Sequence, residues 1–214
     1  MKNFYSIILL CVVFSSCNQK TVLLPEIKNS NITDIKDISA AYLFYDESQP
    51  DSVELNRKNL ISSTNWLVNV DKRLTLAQAI PHIKFLQDKK QNSSHKNKDA
   101  KNYFTCNDTN RKNLGFIDFT DVVYHEKDVE ANSNSPKNYN YAIASFTKDS
   151  VFVNGENFNP ENLILSLDHF IDVPRKLILH FDSDLTFQDY IRYKAILLEL
   201  KSPNISVENQ EFIY

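Results

Sequence analysis

Hydrophobic positions in this chain fall into short runs of two kinds. Ala40–Tyr45 (AAYLFY), Trp66–Val70 (WLVNV) and Lys176–Phe181 (KLILHF) are compact apolar blocks, the pattern of strands covered on both faces. Tyr141–Phe146 and Ser150–Val153 alternate apolar with polar, and the Asn154-Gly155 pair behind them suits a tight turn. Tyr103–Asn107 and Leu114–Tyr124 read as a hairpin closed over Asp108–Asn113, while Ile205–Val207 and Phe212–Tyr214 read as short closing strands. Other stretches repeat at helical spacing. Thr75 to Lys89 and Thr186 to Lys201 predict helices, and Leu163, Ile164, Leu167 and Phe170 share one face behind an Asn159-Pro160 start. Pro50-Asp51 opens a further predicted helix reaching Ile61. Three polar stretches, 18–36, 88–102 and 125–140, carry no periodicity and read as tether, loop and linker.

The pattern repeats. Leu67–Ile80 aligns without gaps on Ile178–Ile191 at an offset of 111 residues. Asp71, Leu74, Thr75, Ile80, Leu86 and Lys90 are identical to Asp182, Leu185, Thr186, Ile191, Leu197 and Lys201. Each copy is an apolar strand, then Asp-x-x-Leu-Thr, then a helix. Thr75 with Gln78, and Thr186 with Asp189, place a hydroxyl three residues before a group that can reach back to it. Pro81 falls inside the first of these helices, where it either kinks the helix or marks a later start. The expected fold is α+β, two related lobes, each a small mixed sheet with about two helices packed on one face. The boundaries that follow are 38–124 for the first lobe, 125–140 for the linker and 141–214 for the second lobe.

The C-terminal unit, 141–214, runs strand, strand, helix, strand, helix, strand. With Val151-Phe152-Val153-Asn154-Gly155, the helix around Leu163–Leu167, Leu177-Ile178-Leu179-His180-Phe181-Asp182 and the helix Phe187–Leu200, it resembles the periplasmic domain of the ExbD/TolR family. The first lobe shares the resemblance only around Asp71. The resemblance implies a module that binds partner proteins or the cell wall. That family's membrane helix with a proton-coupling carboxylate has no counterpart here, so the motor function is not implied.

Residues 1–16 have the layout of a secretory signal, with Lys2, an apolar run from Phe4 to Phe14, then Ser15-Ser16. Eleven helical residues span far less than the roughly 30 Å hydrocarbon core of a bilayer. Phe14-Ser15-Ser16-Cys17 resembles a bacterial lipobox, which implies a diacylglyceryl group on Cys17 and cleavage before it. The expectation is a lipid-anchored envelope protein, 17–37 being its tether and the periplasmic face of the outer membrane its address. An ordinary signal peptide with an incidental cysteine is the alternative.

Composition narrows the chemistry. The net charge of −3 gives no general attraction to nucleic acid. With Cys11 removed and Cys17 lipidated, Cys106 is left without a partner for a disulfide or a cysteine zinc site. Only two glycines occur, Gly115 and Gly155, so no phosphate-cradling loop is present. No metal or cofactor is expected. The five histidines, His82, His95, His125, His169 and His180, form no metal-ligand spacing. His180, Asp182 and Asp184 are the candidate group for acid–base or metal chemistry, set against a reading in which both carboxylates cap the loop and the next helix. The lysines at 89, 90, 96, 98 and 101 could draw an acidic surface, and Tyr42, Phe44, Tyr45 and Trp66 could line a sugar or peptide site. Three functions follow. The first is a non-enzymatic envelope lipoprotein binding a protein or peptidoglycan, the second an envelope hydrolase, the third a structural or small-ligand-binding lipoprotein.

Overall fold

Trp66-Leu67-Val68-Asn69-Val70 shows no alternation because both of its faces are covered. Trp66, Val68 and Val70 enter the main core, while Leu67 packs with Tyr103 and Phe116 on the other side under Ile32 and Ile35. This strand, β4 (Asn65–Val70), lies inside one of two six-stranded sheets. A computed structural model describes residues 20–95, 97–126, 141–170 and 173–214. The predicted signal peptide, Cys17, residues 127–140 of the predicted linker and the His169 side chain lie outside this description. The first sheet joins β1 (Glu26–Ile27), β2 (Ile38–Tyr45), β3 (Val53–Asn56), β4, β5 (Asn102–Asp108) and β6 (Asn113–Asp118). Its order is β1-β5-β4-β2-β3, with β6 antiparallel on β5. The second sheet has the order β10-β9-β8-β11-β12-β7. Its strands are β7 (Val123–Glu126), β8 (Tyr141–Phe146), β9 (Val151–Val153), β10 (Glu156–Phe158), β11 (Arg175–Phe181) and β12 (Ile205–Ile213). Three α-helices, α1 (Leu76–Gln91), α2 (Leu163–Phe170) and α3 (Phe187–Leu198), complete the mixed architecture among the described residues. None of them is long and apolar enough to cross a membrane.

Helix α1 starts where Thr75 predicts. The Thr75 hydroxyl accepts from Gln78 N, and the Gln78 side chain accepts from Thr75 N at 2.9 Å, which pairs two otherwise orphaned donors. Pro81 stays inside the helix on its exposed side. Thr186 caps α3 with the first half of this motif, its hydroxyl accepting from Asp189 N. The two repeats meet at these caps, and their hydrogen bonds are exchanged in matched pairs. Leu76 N donates to Leu185 O at 2.9 Å, and its counterpart Phe187 N donates to Leu74 O at 2.7 Å. Ala77 N donates to Ser183 O, and its counterpart Gln188 N donates to Lys72 O. Thr75 and Thr186 form an antiparallel bridge at the centre. An approximate two-fold axis therefore passes between the two threonines. Phe104 of β5 stacks on Phe119 and meets Phe187 of α3 edge-on at 5.1 Å, so one core runs continuously from sheet to sheet.

Several expectations are corrected. The helix predicted from Pro50 to Ile61 is absent. Val53 and Leu55 alternate, both face the core, and pair with Tyr45 and Leu43 in a hairpin that turns through Ser52 at φ 59°. The sequence of the first lobe thus supplies one helix, not about two. The closing strands are one strand, β12, which shifts register on β11 between Leu177 and Leu179. The boundary at 124 is crossed, because β7 leaves the first lobe's sequence to pair in parallel with β12.

Of the segment expected as tether, 17–37, the described residues from Lys20 onward are folded onto the first sheet. Leu23 N donates to Asp71 Oδ2, Lys72 N donates to Leu23 O, and the Gln188 side-chain amide exchanges two hydrogen bonds with the Glu26 backbone. Ile27 is buried, and Ser30 N donates to Asp108 Oδ2 at 2.7 Å. Polar side chains hid this stretch, since its order comes from partners far along the chain.

Candidate functional site

The candidate group at the end of β11 does not assemble. The His180 ring lies against the rings of Phe212 and Tyr214, with centroids 4.9 and 6.3 Å away. Burial among them pushes the imidazole pKa down, with no carboxylate acting against it. Asp182 Oδ1 instead accepts from Asp184 N at 2.9 Å, closing its own turn, and Asp184 is exposed. The matching Asp71 closes the first repeat's loop. Burial opposes its charge, but Arg73 and the N–H groups of Arg73 and Leu23 outweigh that, so its pKa is lowered. The Asp-x-x-Leu-Thr repeat is thus a loop-closing device. Among the described residues no group of three or more His, Cys, Asp or Glu side chains could hold a metal ion.

The remaining sequence candidates scatter. Cys106 is buried in β5, where burial pushes its thiol pKa well up, away from the reactive thiolate. Trp66 is a core residue whose Nε1–H donates to Ile61 O at 2.7 Å, while Tyr42 and Phe44 stack on each other along β2. The space between the sheets, where a ligand pocket would be expected, is filled by Phe104, Phe119, Phe187 and Tyr190.

Lys90 differs from its neighbouring lysines. Its residue is only 6% exposed. The ammonium donates to Lys101 O and Asn102 Oδ1 and sits 5.2 Å from the centre of the Trp66 ring, with no carboxylate bonded to it. Burial lowers its pKa from 10.5 to about 8. Between those values the unfolded chain holds a proton that the folded chain has released, so stability rises with pH and falls again as pH drops through about 8. Relative to Lys90→Met, the wild type should gain about 3 kcal/mol across this window. Urea titrations at pH 7.5 and pH 10.5 measure it, and equal pH dependence in both proteins would refute the assignment.

An apolar surface cleft lies elsewhere among the described residues, where β1 and the loop after it face β6 and the end of α3. A cavity of about 120 Å³ opens there. Ile27, Ile32, Phe116, Ile117, Ala195 and Leu198 form its apolar wall, and Asn29, Asn31, Asp118 and Glu199 its polar part. Asp108 shapes the loop by accepting N–H bonds from Asn29, Ser30, Asn110 and Arg111, with Asn29 at φ 55°. Leu198 is 57% exposed. Cofactor and drug-sized ligands occupy about 300–1,000 Å³, so this cleft takes one large side chain, not a cofactor. Sequence reasoning missed it because its walls come from three segments distant in the chain. No family model, no curated protein and no solved structure matches this chain.

Proposed function

We propose that this chain is a non-enzymatic lipoprotein of the bacterial cell envelope, anchored through Cys17 at the periplasmic face of the outer membrane. Its folded part consists of two related ExbD/TolR-like lobes that dock a protein partner. The observation that carries the docking role is the apolar cleft beside Leu198, whose volume suits an inserted side chain. The matched hydrogen bonds about Thr75 and Thr186 support the relation between the lobes. The strand, strand, helix, strand, helix, strand order within 141–214 supports the family likeness, with β10 added after β9. The hydrolase alternative needs His180, Asp182 and Asp184 to act together, and their separate partners count against it.

A photocrosslinking residue at position 198, introduced in cells, should capture one protein. Leu198→Glu, on an exposed side chain, should keep the fold and weaken co-purification of that protein about tenfold, the effect of losing a central anchor. Capture of cell-wall fragments would transfer the role to peptidoglycan. Co-purification unaffected by Leu198→Glu would reject the cleft as the docking site.

A further inference from the structure

The lipoprotein reading fixes an anchor at Cys17, and the structure fixes where the chain beyond it enters the fold. Lys20 bonds to Asp46 at 2.6 Å and also to Glu54, on either side of the β2–β3 turn. Leu23 is held from both sides by the loop after β4, through Asp71 Oδ2 and Lys72 N, and Lys72 Nζ reaches Glu26 at 2.7 Å. All of these partners lie at one end of the molecule. Asp71 N donates to Leu43 O, Asp182 N to Phe146 O and Ser183 N to Tyr214 O, while Ala77 N donates to Ser183 O across the two-fold axis. The ends of β2, β4, β8, β11 and β12 are therefore gathered by hydrogen bonds beside the point where the chain enters.

Reach then decides orientation. Three peptide units separate Cys17 from Lys20, no more than about 11 Å when fully extended, and six separate it from Leu23, about 22 Å. Strands of the length of β11 and β12 run about 23–30 Å at roughly 3.3 Å per residue. A leader this short cannot carry the lipid round to the opposite end. Leu23 and Tyr214 are exposed at the near end, an aliphatic and an aromatic side chain suited to the headgroup region. At the near end Lys20 serves both Asp46 and Glu54, Lys72 serves Glu26 and Arg73 serves Asp71, so four carboxylates meet three cations and, with exposed Asp184 beside them, no basic patch forms.

We infer that the end of the molecule carrying the Asp71–Thr75 and Asp182–Thr186 loops lies against the lipid surface, held flush by the short leader. The starts of β2, β4, β8, β11 and β12 point away from it. Attraction to lipid headgroups plays little part, so the orientation comes from the attachment point.

The test uses the purified chain beginning at Cys17, coupled through that thiol to a maleimide phospholipid in phosphatidylcholine vesicles. The buried Cys106 thiol leaves Cys17 as the reactive one. A fluorophore is introduced by click chemistry at Asp184 or, separately, at Lys176, and quenched by lipids bearing a nitroxide headgroup. The Asp184 probe should be quenched severalfold more than the Lys176 probe, and neither should be quenched without coupling. Equal quenching at the two positions, or stronger quenching at Lys176, would overturn the orientation. The outcome does not depend on how cells process the chain. Whether Cys17 is lipidated in cells is read independently from the mass of the membrane-extracted protein.

Discussion

Glu211→Ala should lower the folding free energy by about 3–5 kcal/mol, the cost of leaving one member of a buried ion pair alone. Glu211 sits on β12 with no solvent exposure, opposite Leu179 on one side and Tyr124 of β7 on the other. Its carboxylate accepts from Tyr190 Oη at 2.8 Å and from Lys194 Nζ, and the Tyr190 hydroxyl lies 3.1 Å from that of Tyr124. Burial beside this carboxylate raises both phenol pKa values well above the ordinary one, so the hydroxyls stay protonated. Alanine at 211 strands the Lys194 ammonium, which is largely covered, and takes the acceptor from Tyr190. Replacing both charges with apolar groups, Glu211→Leu with Lys194→Met, should recover most of the loss, because desolvating two ions offsets much of their attraction. Urea unfolding of Glu211→Leu, Lys194→Met and the double variant gives the coupling directly. A double variant no better than Glu211→Ala would show that the network, and not the stranded charge, carries the stability. Since β7 belongs by sequence to the first half and by pairing to the second sheet, hydrogen exchange in Val123–Glu126 should rise most in Glu211→Ala.

How legible this architecture is from sequence depends on where each element finds its partners. The strand, Asp-x-x-Leu-Thr, helix unit is legible twice because capping is local. Thr75 and Gln78, or Thr186 and Asp189, stand three residues apart. The same unit marks the junction of the two halves, though nothing local shows that Leu76 will bond to Leu185. Val53 and Leu55 carry a strand's spacing of two, while the Pro50-Asp51 pair before them suits a helix start equally well. Residues 20–37 carry the weakest local signal. Ile27, Ile32 and Ile35 lie too far apart to form a period, and their order depends on Asp108, Phe116 and Gln188. The candidate cleft is illegible for the same reason, since one of its three walls does not exist until that stretch docks. His180, Asp182 and Asp184 were legible as residues, yet their roles follow from side-chain direction. His180 turns to the rings of Phe212 and Tyr214, and Asp182 turns back on its own loop.

The docking of that N-terminal stretch can be tested at one glycine. A Cβ added at Gly115 of β6 would stand 2.5 Å from Ser30 Cβ and 3.0 Å from Ile27 Cδ1. Ile27 Cδ1, a side-chain tip beside the cleft, can give a few tenths of an ångström, but Ser30 cannot yield at low cost. Ser30 N is held by Asp108, and Ser30 Oγ donates to Ile32 O and accepts from Phe116 N, so moving its Cβ breaks the bonds that join the loop to β6. Ile27 is buried and paired to β5 through Asp108. Gly115→Ala should therefore destabilise by about 3 kcal/mol, at the upper end for overpacking, although alanine is the better strand former wherever space allows. The loss should also be uneven. Hydrogen exchange should accelerate at Ser30, Phe116 and Thr109, whose N–H groups bond across this contact, before it does in β11 or α3. Ser30→Gly combined with Gly115→Ala removes the Ser30 Cβ and should restore part of the stability, short of the wild type because the hydroxyl bonds go with it. If Gly115→Ala alone leaves stability and exchange unchanged, residues 20–32 are a loose tether after all, and the cleft against Leu198 loses the wall it needs.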